Sequence, residues 1–245
     1  MKIGIISDIH SNIEALTVCF DWLDAHDIKE IVCLGDVVGY GADPNPCCEL
    51  IRDNCDVTLL GNHDAAVIGV MEIGYYYAAA RDAIYWTRSQ LTPENFEWLY
   101  SLPYTYVDEE NDVSYFHSAP IRPSGFYYVV QTKDARAHTA VYGKLKAFNF
   151  VGHSHLPNQY MINDTKAKDV TGRQLTAKSS RKFIVNVGSV GQPRDKDPRL
   201  CFGIYDTEAK SFVHHRLEYN VAGASKKIIK AGLDQKFAKR LFLGQ

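Results

Sequence analysis

Ile3-Gly4-Ile5-Ile6-Ser7-Asp8-Ile9-His10-Ser11-Asn12-Ile13-Glu14 is the stretch on which the fold reading turns. Its first four residues form a short, mostly β-branched run that predicts a buried strand. Ser11-x-x-Glu14 has the spacing of a helix capping box, and Ile13, Leu16, Phe20 and Leu23 follow at helical spacing. A helix of about four turns is therefore expected directly after the strand. The run 31–34 supplies a second strand, and the unit reads strand, helix, strand.

Outward from this unit, apolar runs at 57–60, 113–116, 148–151, 183–187, 201–205 and 212–214 predict further strands. Asn45 before Pro46 and Thr92 before Pro93 look like helix caps with proline at the first helical position. Residues 133–146 predict one more helix, and the basic tail after Ala222 one or two. The later strands have no helical patterns between them, which favours antiparallel pairing, with 164–181 as a polar hairpin excursion. Its cationic side chains, Lys166, Lys168, Arg173, Lys178, Arg181 and Lys182, read as a solvated face. Periodicity alone thus supports an α/β fold with late antiparallel strands.

The 245 residues, 46% of them hydrophobic, suffice for a sizeable core, and one domain over 1–245 is the expected division. A helical lid elaboration is expected within 65–102, where the Tyr75-Tyr76-Tyr77 run, Trp86 and Trp98 read as core or lid wall. The 27 Lys and Arg against 29 Asp and Glu leave a charge of -2, so no global field recruits nucleic acid or membrane, and neither is an expected partner. Any affinity for anions must be local. Six cysteines without C-x-x-C spacing fit a reducing compartment, and the apolar run before Ser7 is too short for a signal or membrane segment. A cytoplasmic location is expected; oligomeric state is not readable.

The chemistry lies at the strand ends. The first five predicted strands are followed in turn by Asp8-Ile9-His10, by Gly35-Asp36, by Gly61-Asn62-His63-Asp64, by His117 and by Gly152-His153-Ser154-His155. Five of the nine histidines fall in these motifs. Singly, Asp8 reads as a helix cap, Gly35-Asp36 as a turn and His117 as a hydrogen-bonded strand end. Five such coincidences are harder to accept, because ligands of open α/β sheets bind beyond the carboxyl ends of strands. His153-x-His155 would point both rings to one side of a strand end, as metal ligands require.

In order, these motifs resemble the calcineurin-like metallophosphoesterase superfamily, over residues 8–155. The phrases from Gly35 to Gly41 and from Asn186 to Asp195 look like its small prokaryotic members and extend the resemblance over most of the chain. The resemblance implies a four-layer αββα sandwich of two mixed sheets flanked by helices. It also implies a dinuclear metal centre, with one ion held by Asp8, His10 and His155, the other by Asn62, His117 and His153, and Asp36 bridging them. A carboxylate suits that role, since its anionic oxygens can face two cations ~3.5–4 Å apart. Nitrogen and oxygen donors without thiolate suit transition metals; manganese is the expected ion, with Fe, Co, Ni or Zn as alternatives. The implied reaction is attack on a small phosphate ester by a metal-bridging hydroxide, with His63 protonating the leaving group. Asp36, Asn62 and His63 are thus the implied catalytic residues.

Protein serine/threonine phosphatases of the superfamily carry an Asp-Arg pair where this chain has Gly39-Tyr40. The phosphate-clamping arginine and the carboxylate that orients the catalytic histidine are missing there. Asp64 is a candidate replacement for the carboxylate, Arg194 or Arg122 for the clamp, and Tyr40 a further candidate substrate contact. A phosphatase or phosphodiesterase of small esters is the leading expectation. Hydrolysis of phosphoproteins or dinucleotide polyphosphates is the alternative within the same chemistry. A non-catalytic scaffold, such as the retromer subunit that resembles this fold, would be expected to lack His63.

Overall fold

The computed structural model describes residues 1–74, 76–177 and 181–245. Of the residues singled out above, Tyr75 and Lys178 lie outside them. Strands β1 (Lys2–Ile6), β2 (Glu30–Cys33) and β3 (Val57–Thr58) begin a first sheet. Strands β4 (Thr105–Asp108), β5 (Val113–Phe116), β6 (Phe148–Val151), β7 (Gln159–Ile162) and β8 (Ala167–Asp169) build a second. The chain then returns to the first sheet with β9 (Leu175–Thr176), to the second with β10 (Lys182–Asn186), and finishes the first with β11 (Leu200–Asp206) and β12 (Ser211–Leu217). The orders are β3-β2-β1-β11-β12-β9 and β4-β5-β6-β10-β7-β8.

Both sheets are mixed. β1, β2 and β3 pair in parallel, as do β5, β6 and β10, while β11 and β12 are antiparallel additions on β1, and β7 is antiparallel to β10. The sheets pack face to face over Ile3, Ile5, Val32, Phe148, Phe150 and Tyr205, alternate residues whose neighbours point outward. Helices α1 (Ile13–Ala25), α2 (Pro44–Asn54), α3 (Asn62–Ile68), α4 (Ala78–Gln90) and α5 (Pro93–Tyr100) belong to the apolar cluster on the far side of the first sheet. α6 (Thr132–Ala137) buries Ala135 against Val151, Tyr160 and Ile184 of the second. Helix, sheet, sheet and helix make the expected four layers. α7 (Val221–Lys230) and α8 (Gln235–Leu243) close over Tyr40 through Ile228, Phe237 and Leu241.

Several local expectations are corrected. α1 is capped by Asn12, whose Oδ1 accepts from the Ala15 amide at 3.2 Å, because Ser11 is held in left-handed backbone (φ 53°) and cannot reach. α2 starts one proline earlier than expected, after Asp43, so Asn45 lies inside its first turn and bonds across to α5 through Asn95. Thr92 does cap α5, accepting from the Asn95 amide at 3.3 Å. The predicted helix at 133–146 splits into α6 and a 3-10 stretch, His138–Lys144, kinked at Val141. The 164–181 excursion is not a hairpin of its own: β8 pairs with β7 in one sheet and β9 with β12 in the other. β4 and β7 were not expected. β4 is an edge strand with three of its four residues exposed, so it lacks an apolar run.

Candidate metal centre

The parallel strands of both sheets deliver their carboxyl ends to one place. Asp8 and His10 follow β1, Asp36 follows β2, Asn62 opens α3 after β3, His117 follows β5, and His153 and His155 follow β6. The donor atoms of Asp8, His10, Asp36 and His155 all lie within 4.8 Å of one another, and so do those of Asp36, His117 and His153. Asp36 belongs to both groups. Its Oδ2 lies 3.6 Å from His10 Nε2 and 3.5 Å from His117 Nε2, while Oδ1 accepts from the His63 amide at 2.7 Å. Asn62 Oδ1 sits 3.1 Å from His117 Nε2, and its Nδ2 donates to the Tyr76 hydroxyl at 2.5 Å, which fixes the orientation of the amide. All these residues except the half-buried Tyr76 are buried.

Convergence this tight requires unusual backbone. Asp8, His10, Asp36, His153 and His155 all have positive φ, between 49° and 66°, a region non-glycine residues enter only where surrounding structure compels them. Glycines make the close approaches possible. A Cβ on Gly61 would lie 2.1 Å from Asp36 Oδ1, and one on Gly152 would lie 2.0 Å from Ser7 Oγ. The Asp64 carboxylate accepts from the amides of Val38 at 3.0 Å and Gly61 at 3.0 Å, tying the loop after β2 to the turn that carries Asn62 and His63. Both its oxygens are thus engaged on backbone. Asp64 secures the turn and does not orient His63, whose buried Nδ1 has no hydrogen-bond partner among the described residues.

Backbone carbonyls set the histidine tautomers. Nδ1 of His10 faces Val38 O at 3.3 Å, Nδ1 of His117 faces Leu34 O at 3.0 Å, and Nδ1 of His155 faces Gln192 O at 2.6 Å. A nitrogen beside a carbonyl carries the proton, so each Nε2 turns a lone pair toward the cluster. His153 Nε2 is also buried without a partner among the described residues. Burial holds His63 down at about 4 and His153 at about 3, and takes His10 and His155 well below the ordinary imidazole value. Burial also pushes Asp8 and Asp64 up to about 7. Asp36 resists the same burial: the His117 imidazole holds its carboxyl well below the usual range, and Asp36 in return lifts His117 to about 9. Neutral imidazoles on His10, His153 and His155, the carboxylates, one amide oxygen, and His117 once it gives up the proton that Asp36 holds on it form a donor set that fits divalent transition metal.

Above these donors opens a cavity of ≈ 380 Å³. Tyr40, His63 and Arg194 line it. The Tyr40 ring lies 4.3 Å from that of His63 and 4.8 Å from that of Phe237 on α8. Arg194 donates to Gln192 Oε1 at 2.9 Å, and its buried Nε has no partner among the described residues. Arg122 is exposed on left-handed backbone and is not among the lining residues. Trp86 and Trp98 pack against core clusters, whereas Tyr76 and Tyr77 line the cavity. Sequence reasoning missed three contributors. Gln192, Phe126 and Tyr128 had no assigned role, although the Phe126-Tyr127-Tyr128 run stands only a few residues beyond His117.

A family model described as the calcineurin-like phosphoesterase superfamily domain matches residues 1–210, and the chain belongs to that superfamily. Its members use divalent metals to hydrolyse phosphate esters. The chain is 38% identical over 249 residues to an uncharacterised protein of Methanocaldococcus jannaschii, covering 99% of this chain and 98% of that one. It is 34% identical to a metallophosphoesterase from Sphaerobacter thermophilus whose crystal structure superposes with a TM-score of 0.84 over 100% of this chain and 99% of that one. A hypothetical protein from Pyrococcus horikoshii OT3, at 18% identity, shares the fold with a TM-score of 0.80 over 100% and 98% of the two chains. Among the described residues no helix is long and apolar enough to cross a membrane.

Proposed function

We propose that this protein hydrolyses small phosphate esters with two divalent metal ions held side by side around Asp36. The observation that carries this reading is the position of Asp36 Oδ2, 3.6 Å from His10 Nε2 and 3.5 Å from His117 Nε2, common to both donor groups. Asp8, His10 and His155 complete one group; Asn62, His117 and His153 complete the other. Two bound divalent ions would supply positive charge opposite the phosphoryl oxygens and lower the pKa of water toward ~7. Manganese is the ion we expect, with Fe, Co, Ni or Zn able to use the same donors.

The protein's own groups do the rest. Arg194 pairs with a phosphoryl oxygen through the guanidinium face not engaged by Gln192. His63, at the cavity wall, is neutral in the empty site; protonated once a phosphate dianion binds beside it, it gives that proton to the departing oxygen. Tyr40 packs on His63 and keeps water from that side of the ring. We read residues 1–245 as one domain, with the segment before α4 forming a wall of the site, and place the protein in the cytoplasm. The test is elemental analysis of purified protein combined with phosphomonoester and phosphodiester turnover in each of the five metals. About two metal equivalents and metal-dependent turnover are expected; no turnover with any of the five would sink the proposal.

A further inference from the structure

Part of the cavity wall is aromatic. Tyr76, Tyr77, Phe126 and Tyr128 line it, the first two from just before α4 and the last two from well beyond β5. Tyr76 and Phe126 are structural: the first bonds Asn62, and the second packs edge-on against His117 with ring centroids 5.9 Å apart. Tyr128 differs. One face of its ring lies flat on His153, with centroids 4.0 Å apart and planes inclined by 17°, yet the residue is 53% exposed. A lone exposed tyrosine is ordinary. A tyrosine already held flat by its inner face, within a concave site, offers its outer face to a ligand with little side-chain entropy left to lose.

Charge narrows the ligand further. Beyond the two ions that the proposed function places around Asp36, Arg194 is the one cationic side chain among the described residues lining the cavity, so phosphates past the first would have a single guanidinium to share. A single phosphate has its partner, and the part of the wall formed by Tyr76, Tyr77, Phe126 and Tyr128 is flat, uncharged ring. A second ring stacked on Tyr128 at the usual centroid spacing of about 4.5–7 Å stands one sugar's reach from the donors around His153.

We infer that the cavity selects monophosphate esters of planar ring systems, a nucleoside monophosphate being the type, by continuing the His153–Tyr128 stack with the ligand's ring. This rests on the proposed function for the phosphoryl end of the site. Sugar and polyol phosphates share that end but have no ring to place on Tyr128.

Calorimetric titration of the full chain with adenosine 5′-monophosphate and with ribose 5-phosphate tests the inference, because the two esters share phosphate and leaving alkoxide and differ in the ring. Titrations are run with and without added manganese. The nucleotide is expected to bind roughly five- to a hundred-fold more tightly. Tyr128→Leu should bring the ratio close to one, and Tyr128→Phe, which keeps the ring, should preserve it. Equal affinities in the wild type, a ratio unchanged in Tyr128→Leu, or an equal loss for both esters in that variant overturns the stacking subsite. Turnover is read separately: an intact binding preference without hydrolysis in any metal condemns the hydrolase reading alone, and equal binding of two esters that are both hydrolysed condemns the subsite alone.

Discussion

The Nε2 atoms of His10 and His155 face each other at 3.1 Å, and neither has a proton to give the other. Each ring commits its Nδ1 proton to a backbone carbonyl, of Val38 and of Gln192, and burial keeps both imidazoles neutral. Two opposed lone pairs inside a protein repel unless a cation lies between them. Metal should therefore stabilise the fold as well as serve chemistry. Chelated protein should melt about 5–10 °C below protein with metal at a hundred times its Kd, the shift expected from a gain of about 2.7 kcal/mol in a chain of this size. Calorimetric melting with and without chelator checks this, and coincident curves would refute it.

Asp36→Asn should cost metal before it costs fold. The amide keeps the shape but loses the charge that faces both donor groups. Bound metal is expected to fall from about two equivalents to one or fewer, with turnover down at least ~10²-fold. Elemental analysis of the variant after desalting decides it; an unaltered metal content would remove Asp36 from the bridging position.

His63→Asn is expected to behave in the opposite way. Metal content should stay constant while turnover of alkyl phosphates drops about 10²- to 10⁴-fold. The loss should be smaller for p-nitrophenyl esters, whose leaving group needs no proton. Equal losses across both leaving groups would argue that His63 supports structure rather than proton transfer.

Arg240 on α8 should act at a distance. Gln192 Oε1 accepts from Arg194 at 2.9 Å and from Arg240 at 3.1 Å, and both guanidinium groups stand over Tyr40, at 5.9 and 5.8 Å. Arg240→Ala frees Gln192 and with it Arg194. KM should rise roughly 3- to 10-fold with kcat little altered, the loss of one shared charged hydrogen bond. Combined with Arg194→Ala, the second substitution should add almost nothing; full additivity in that double-mutant cycle would show the two arginines to be independent.

His214 gives stability a pH dependence away from the site. Burial pushes its imidazole down to about 4, although its Nε2 donates to Asn186 O at 2.7 Å. The unfolded chain takes up the proton near 6.5, so the contribution is complete above that pH and is lost as pH falls from 6.5 toward 4. Urea midpoints of wild type and His214→Gln, measured from pH 7 to pH 4, should converge on the acid side. A gap constant with pH would show that this residue does not titrate as described.

The strand ends were legible because they are local. Apolar runs mark β1, β2, β3, β5, β6 and β10, and the candidate donors sit in the short polar stretches just beyond all but the last. What local pattern could not resolve was competition between neighbouring candidates. Asp43-Pro44-Asn45-Pro46 offers two caps and two prolines; Pro44 takes the first helical position, and Asp43 is held by Lys227 of α7 at 3.0 Å, a contact 184 residues away in sequence. Ser11 and Asn12 compete in the same way, and the left-handed turn at His10 and Ser11 decides for Asn12.

By itself the amino-acid order determined the candidate donors, their succession along the chain and the family to which the chain belongs, since residue type and strand-end placement are properties of short segments. Only the tertiary structure decided which donors share Asp36, that Asp64 braces backbone while His63 Nδ1 stays unpaired, and that Tyr128 and Tyr76 face one cavity. His10 meets His155 across 145 residues and Asp36 meets His117 across 81. Such distances follow from how two sheets register against each other through their shared core, and that packing is a property of all the contacting residues at once.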